Sequence, residues 1–548
     1  MVAGPNGKTL TYSYDTAKRR EALVDPDGGR TTYAYDGTSR LTSLVNPFGE
    51  RTTWAYDAVG QVKTLTYGNT ARATYTYDST ARTTGVRHTK ADGTLLAGYE
   101  YSYNNAGIPT GVVEGNGDRV TWSYDSVYRL AREQRSGTNA YDLTYTWDGA
   151  GNRLTKLASG ATTTYTYNAG DALTVENAAG TLTTYSYDSA GNTSTENAAG
   201  SVTTYTWDDE NRMTGILLPS GGGTWTMAYN PSGLRREKQA AGTTTRFVWD
   251  TVGALLAAPS SASRLLQETD ADNATTAHYT AGLGMYGPTV SQRRSSTSSF
   301  LHGSLLGTIE TLTAADQSVS DTYILDAWGR EVASSGSTVN PHRYIGHLGY
   351  YTGPSLSLNY VRARWLRPAT GSWLSVDPVR RGQRYAYGKA YPAASADPSG
   401  AQPSDFRIVP IDMRHGVIDD AKPDDPDYGA TTPTGPGDLD IGIGDLSTPT
   451  CAPSCCNGYG LGAAAVVVVA GMPVCMYGAG RAVAKGSELV VHVQRLLNRL
   501  GTELTGHVLV HVTCETAVLT VAVVVAPTFA DRMCCSPEEL AAGQRCPR

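Results

Sequence analysis

Phenylalanine is scarce in this sequence, five residues against 34 tyrosines, and no cysteine occurs before position 451. Aromatic groups that nearly all carry a polar tip suit half-exposed surfaces between turns better than a greasy interior. Hydrophobic residues make up only 40%, too few for one compact core in 548 residues, which is length enough for three or four ordinary domains. No basic surplus exists: 45 Lys and Arg stand against 51 Asp and Glu, a net charge of −6. Recognition of a nucleic-acid backbone needs that surplus, so no nucleic-acid partner is expected. Met1 to Gly7 has neither a basic n-region nor an apolar h-region, and no secretory signal is visible there. Gly4 to Asp15 reads as the second half of a repeat, so the expectation is the C-terminal part of a longer chain. Glycine, at 60 residues, is plentiful, and with tyrosine it points to an all-β shell.

An aromatic residue followed by Asp or Asn recurs at Tyr14, Tyr35, Tyr56, Tyr77, Tyr103, Tyr124, Trp147, Tyr167, Tyr187, Trp207, Tyr229 and Trp249, spaced by 20 to 26 residues. A fixed period of this size marks stacked units, each burying its face against its neighbours. Within one unit Thr31, Tyr33 and Tyr35 alternate with Thr32 and Ala34, which is a strand pattern. Asp36-Gly37 supplies a turn, Leu41 to Val45 a second strand, and Asn46-Pro47-Phe48-Gly49 the turn back. The Asp after each aromatic is expected to cap backbone N–H groups of the turn.

These phrases, above all Tyr187-Asp188-Ser189-Ala190-Gly191-Asn192 and Trp147 to Thr155, resemble the YD repeat of RHS proteins and of the teneurin and toxin-complex shells. The resemblance covers residues 1–255. From 256 to 400 periodicity fades, and Arg343 to Gly346, Leu358 to Arg364 (LNYVRAR), Gly371 to Pro378 (GSWLSVDP), Tyr385 to Gly388 and Asp397 to Gly400 resemble the RHS repeat-associated core, which plugs the shell ahead of a variable payload. In autoproteolytic members two Asp-Pro motifs bring two carboxylates together. The resemblance implies that Asp377 and Asp397 form this pair, one as base and one as proton donor, with the cut after Ala401. Two close carboxylates cannot both ionise easily, so one holds a proton near neutral pH. This sequence has Val379-Arg380 and Ala401 where the family pattern has Gly and Leu. Both Asp-Pro pairs also fit simple turn starts.

About 24 strands, ~4.8 Å apart and ~20 Å long, cover on the order of 2,300 Å². Enclosing a globule of the size of the last 148 residues needs on the order of 8,000 Å². The fold expected is therefore mainly β, a sheet wall forming an open or partial shell or barrel with a core plug.

After Gly400 composition changes. Residues 405 to 445 hold ten Asp and three Lys or Arg, and 401–450 reads as an acidic, Pro-rich linker. Asp438, Asp440 and Asp445 lack the loop that calcium needs. Residues 451–548 form a small cysteine-rich segment of α+β type. All eight cysteines lie here, Cys451, Cys455, Cys456, Cys475, Cys514, Cys534, Cys535 and Cys546, and their even count points to disulfides in an oxidising compartment. Zinc is the rival, and no C-x-x-C spacing favours it. Apolar runs at Leu461 to Met476 and Thr516 to Ala530 flank leucines at helical spacing from Leu489 to Leu504; core packing explains them, with membrane contact the alternative. His507, His511 and Glu515 would share a helix face, but the intervening valines predict a strand, with the two histidines about 13 Å apart.

The resemblance implies a secreted or cell-surface polymorphic toxin, whose shell presents and self-cleaves a payload and whose partner is an immunity protein. The other reading is a structural or adhesive surface protein whose tyrosine-rich sheet binds glycans or proteins. Neither reading calls for a cofactor or a metal.

Overall fold

The computed structural model describes residues 2–3, 8–251, 263–283, 287–353, 357–378 and 384–401, together with the strands Ser404–Asp405, Ala465–Val468, His507–Glu515 and Val518–Ala526. The chain divides into two compact units, Met1–Ala421 and Lys422–Arg548.

In the first unit a single meander of 31 strands runs from Val2–Ala3 to Glu331–Ser335. Each strand pairs antiparallel with the next in sequence, as in Thr9–Tyr14 with Arg20–Val24 and Val319–Leu325 with Glu331–Ser335. No α-helix occurs among the described residues. The sheet does not stop where the strict period fades; seven further strands from Arg264–Thr269 to Glu331–Ser335 continue it.

The repeat explains its own stacking. At the end of each aromatic strand the register shifts by one residue, for example between Ala34 and Tyr35, so the return strand carries a bulge beside the turn. Asp36 closes that turn as expected: its Oδ1 accepts from the N–H groups of Thr38 and Arg40, both at 2.9 Å, and its Oδ2 from Arg40 Nε at 2.7 Å. Partial burial would raise the Asp36 carboxyl, yet these hydrogen bonds hold it down at about 2. The aromatic does more than pack. From Tyr35 to Trp249 every repeat aromatic donates its hydroxyl or indole N–H, over 2.5–3.0 Å, to the carbonyl of the residue that opens the return strand of the preceding repeat. Phenylalanine has no such donor, which accounts for its absence from these eleven positions.

The meander curls until late strands lie on early ones. Arg20, on the third strand, bonds Asp250 on the twenty-fourth through Nη1 at 2.5 Å and Nη2 at 3.1 Å. Those strands are separated by roughly 100 Å of sheet at ~4.8 Å per strand. Leu10 and Leu23 pack with Val248 and Leu266, and Leu44, Trp54 and Leu65 with Val290 and Phe300. The late strands are consequently buried on both faces: Arg264–Thr269 is buried throughout, whereas Ala161–Tyr167 is mostly exposed with one buried residue, Tyr165. Their other face meets a smaller antiparallel sheet, Tyr351–Gly353, Leu358–Val361, Arg364–Arg367 and Ser372–Trp373. Phe247, Trp249 and Leu265 share a cluster with Tyr351, Tyr360 and Trp365 from it. No hydrogen-bonded pairing joins the first and last strands of the sheet among the described residues.

In the second unit Val518–Ala526 pairs antiparallel with His507–Glu515 and with Ala465–Val468. His507 and His511 stand on one strand, as the valines predicted, opposite Ala526 and Ala522. Cys514 lies on that strand; the other seven cysteines, the acidic stretch 406–450 with Asp438, Asp440 and Asp445, and the leucines from Leu489 to Leu504 lie outside the described residues. No described helix is long and apolar enough to cross a membrane.

Candidate active site at the end of the core

The small sheet turns its second hairpin on two residues, Arg362 and Ala363, between paired Val361 and Arg364. Arg362 takes a left-handed φ of 45° there. Its guanidinium holds the carbonyls of Ser263 at 2.9 and 3.1 Å, Leu348 at 3.1 Å and Pro398 at 2.5 Å. One buried cation thus ties the big sheet, the small sheet and the Asp397 turn together.

Against this hairpin runs the segment from Ser395 to Ala401. Gly400 sits at φ +70°, and a Cβ there would come within 2.1 Å of the Val361 carbonyl oxygen and 2.9 Å of the Arg364 nitrogen. Only glycine fits so close an approach. Asp397 is fully buried. Its N–H donates to Tyr350 Oη at 2.8 Å, and its Oδ1 accepts from Ser399 Oγ at 2.8 Å and from the Ala401 N–H at 3.1 Å.

Asp377, twenty residues earlier, reaches the same place. A single nitrogen, Arg364 Nη2, lies 3.0 Å from Asp377 Oδ2 and 3.0 Å from Asp397 Oδ2. Arg364 is stacked at 4.2 Å over the Trp373 ring, and its Nε donates to the Gly400 carbonyl. Burial pulls this guanidinium below its ordinary value, and Asp397 and then Asp377 oppose the shift. The structure therefore brings the two sequence-selected aspartates together, and interposes a cation that the motif reading did not include. A cation placed between two carboxylates offsets the repulsion that a bare pair would feel. Arg364 was within reach of the sequence, since it ends the LNYVRAR phrase; nothing in the sequence said that its partners lay 13 and 33 residues on.

The tyrosines of the repeats are largely committed to packing and to the carbonyl bonds above, with Tyr14 and Tyr128 the ones left about half exposed.

The bulged Tyr-Asp meander is built of repeats of the RHS/YD kind. The family model described as Teneurin YD-shell matches residues 5–134, and that described as RHS Repeat matches 187–222. Over 144 residues, 25% of this chain, the sequence is 31% identical to the tRNA3(Ser)-specific nuclease WapA of Bacillus spizizenii, and equally to the tRNA nuclease WapA of Bacillus subtilis. The matched part spans 6% of the length of each of these relatives. Among solved structures the TcdB2-TccC3 complex aligns over 72% of this chain and 22% of its own, with TM-score 0.58 and 18% identity. The Photorhabdus luminescens Tc holotoxin pore aligns over 72% of this chain and 21% of its own, with TM-score 0.55 and 17% identity. Likeness at this identity speaks for the fold alone.

Proposed function

We propose that residues 1–400 are the shell and core of a secreted or cell-surface polymorphic toxin, that residues 402–548 are its variable payload, and that Asp377 and Asp397 sever the chain where the core ends. The observation that carries this reading is the meeting of both aspartates on Arg364 Nη2, with Asp397 Oδ1 on the backbone N–H of Ala401. Turn formation alone asks for neither a shared buried cation nor a fully buried Asp397. An immunity protein is the partner this reading calls for, and the payload's chemistry stays open.

Intact mass of the purified chain tests the reading, alongside Asp377→Asn and Asp397→Asn. The wild type is expected to give two fragments divided next to Ala401, and each variant a single uncut chain. An uncut wild type would return both aspartates to turn residues and favour the structural, adhesive reading.

A further inference from the structure

Among the described residues at the end of the core, the hydrogen bonds mark out one peptide bond. The peptide unit joining Gly400 to Ala401 is held at both ends: its carbonyl oxygen accepts from Arg364 Nε, and its N–H donates to Asp397 Oδ1 at 3.1 Å. The N–H also lies 3.0 Å from Ser399 Oγ, itself bonded to Asp397 Oδ1. A cation at the oxygen and a carboxylate at the nitrogen are where hydrolysis puts negative charge and needs a proton. Gly400 is pinned in this pose by its left-handed φ and by the backbone of Val361 to Arg364, which leaves no room for a side chain. Arg364 Nη1 is buried without a hydrogen-bond partner, so the guanidinium has a donor in reserve for charge that develops beside it.

Resting on the aspartate-pair reading, we propose that the bond cut is Gly400–Ala401, one residue before the position that the family pattern implies, and that Arg364 stabilises the oxyanion. Water supplies the oxygen. Asp397 takes one proton from it as the oxygen bonds to the Gly400 carbonyl carbon, and the carbonyl oxygen carries the negative charge against Arg364. Collapse breaks the carbon–nitrogen bond while Asp397 passes the proton to the Ala401 nitrogen. The products are a Gly400 carboxylic acid, which loses its remaining proton to solvent, and a free amine on Ala401. Asp377 acts as a positioning residue, balancing the Arg364 charge and fixing its fork.

N-terminal sequencing and mass of the smaller fragment from the full chain decide the matter. A fragment beginning at Ala401 is expected. One beginning at Gln402 would overturn this inference and leave the aspartate-pair reading standing, and an uncut chain would overturn both. Arg364→Lys tests the oxyanion role, because lysine keeps the charge but loses the fork that spans Gly400 and the two carboxylates. Cleavage is expected to slow by roughly 100-fold with the cut in the same place, the loss typical of an oxyanion donor; an unchanged rate would remove Arg364 from the chemistry.

Discussion

The aromatic of each repeat is a hydrogen-bond donor before it is a hydrophobe. Tyr77 shows the principle: its hydroxyl donates at 2.7 Å to the carbonyl of Val62, at a bulge where the strand ladder is broken. Replacing it by Phe keeps the ring and removes only the donor, leaving that carbonyl without this partner. Tyr77→Phe is expected to cost about 1–2 kcal/mol, read as a lower urea midpoint with an unchanged slope. A midpoint equal to that of the wild type would make the ring, and not its tip, the reason tyrosine stands here. The aspartates that follow are a second constraint, since one carboxylate serves two backbone N–H groups and usually an arginine four residues on, as Asp78 serves Thr80 and Arg82. Each residue type at these positions was legible in the sequence; the donor role of the aromatic was not, because its acceptor sits on the neighbouring repeat.

Between elements the decisive contacts are polar pairs sealed inside the overlap of early and late strands. Asp250 is buried and faces Arg20, Arg264 at 3.4 Å and the Tyr12 hydroxyl at 3.1 Å. Further along the seam His278 meets Asp25 at 3.0 Å, Asn69 donates to Thr313 and Ala314, and the Ala327 N–H donates to both carboxylate oxygens of Glu133. Such pairs fix register, because any slip of the overlap would strand a buried charge. Asp250→Ala leaves two buried guanidinium groups facing each other, and a loss of about 3–5 kcal/mol is expected in equilibrium denaturation. An added protease site in the Asp270 to Asn273 turn should then become more accessible, and an unchanged cleavage rate would show that the overlap holds without this pair.

Across the whole first unit, neutral histidines mark where acid will act. His88 donates from Nε2 to the Gly303 carbonyl at 2.9 Å, His302 Nδ1 meets His88 Nδ1 at 3.2 Å, and Thr313 Oγ1 lies 2.8 Å from His302 Nε2. Neutral His88, donating from Nε2, has an acceptor at Nδ1, so His302 must donate to it from Nδ1 and accept at Nε2 from the Thr313 hydroxyl, whose oxygen accepts from Asn69. Every ring nitrogen is therefore used with both imidazoles neutral, and an added proton would set donor against donor. Burial pushes His88, His342 and His347 down to about 4, and it lowers His302 well below its ordinary value too. Because these folded values lie below the unfolded one near 6.5, their stability contribution is whole above that pH and is lost as pH falls toward 4. His88, His342 and His347 each contribute on the order of 3 kcal/mol to the loss. The melting midpoint followed by circular dichroism should drop steeply between about pH 6.5 and 4, before turn aspartates such as Asp36, held at about 2, are protonated. A flat midpoint across that window would mean that the imidazoles reach water in the native state.

The period of the Tyr-Asp phrases, their alternation and their turn residues determined strand, turn and repeat by themselves, because those are local choices made within about twenty residues. The core phrases also named Asp377 and Asp397. What only the tertiary structure decided is which distant residues meet: that strands beyond residue 263 extend the sheet and settle between the early strands and the core, that Arg364 joins the two aspartates, and that Gly400 is pressed onto the Val361–Arg364 hairpin. Those contacts depend on how far the sheet twists over some twenty strands, a small angle per strand that no single repeat encodes but that their sum converts into a full overlap.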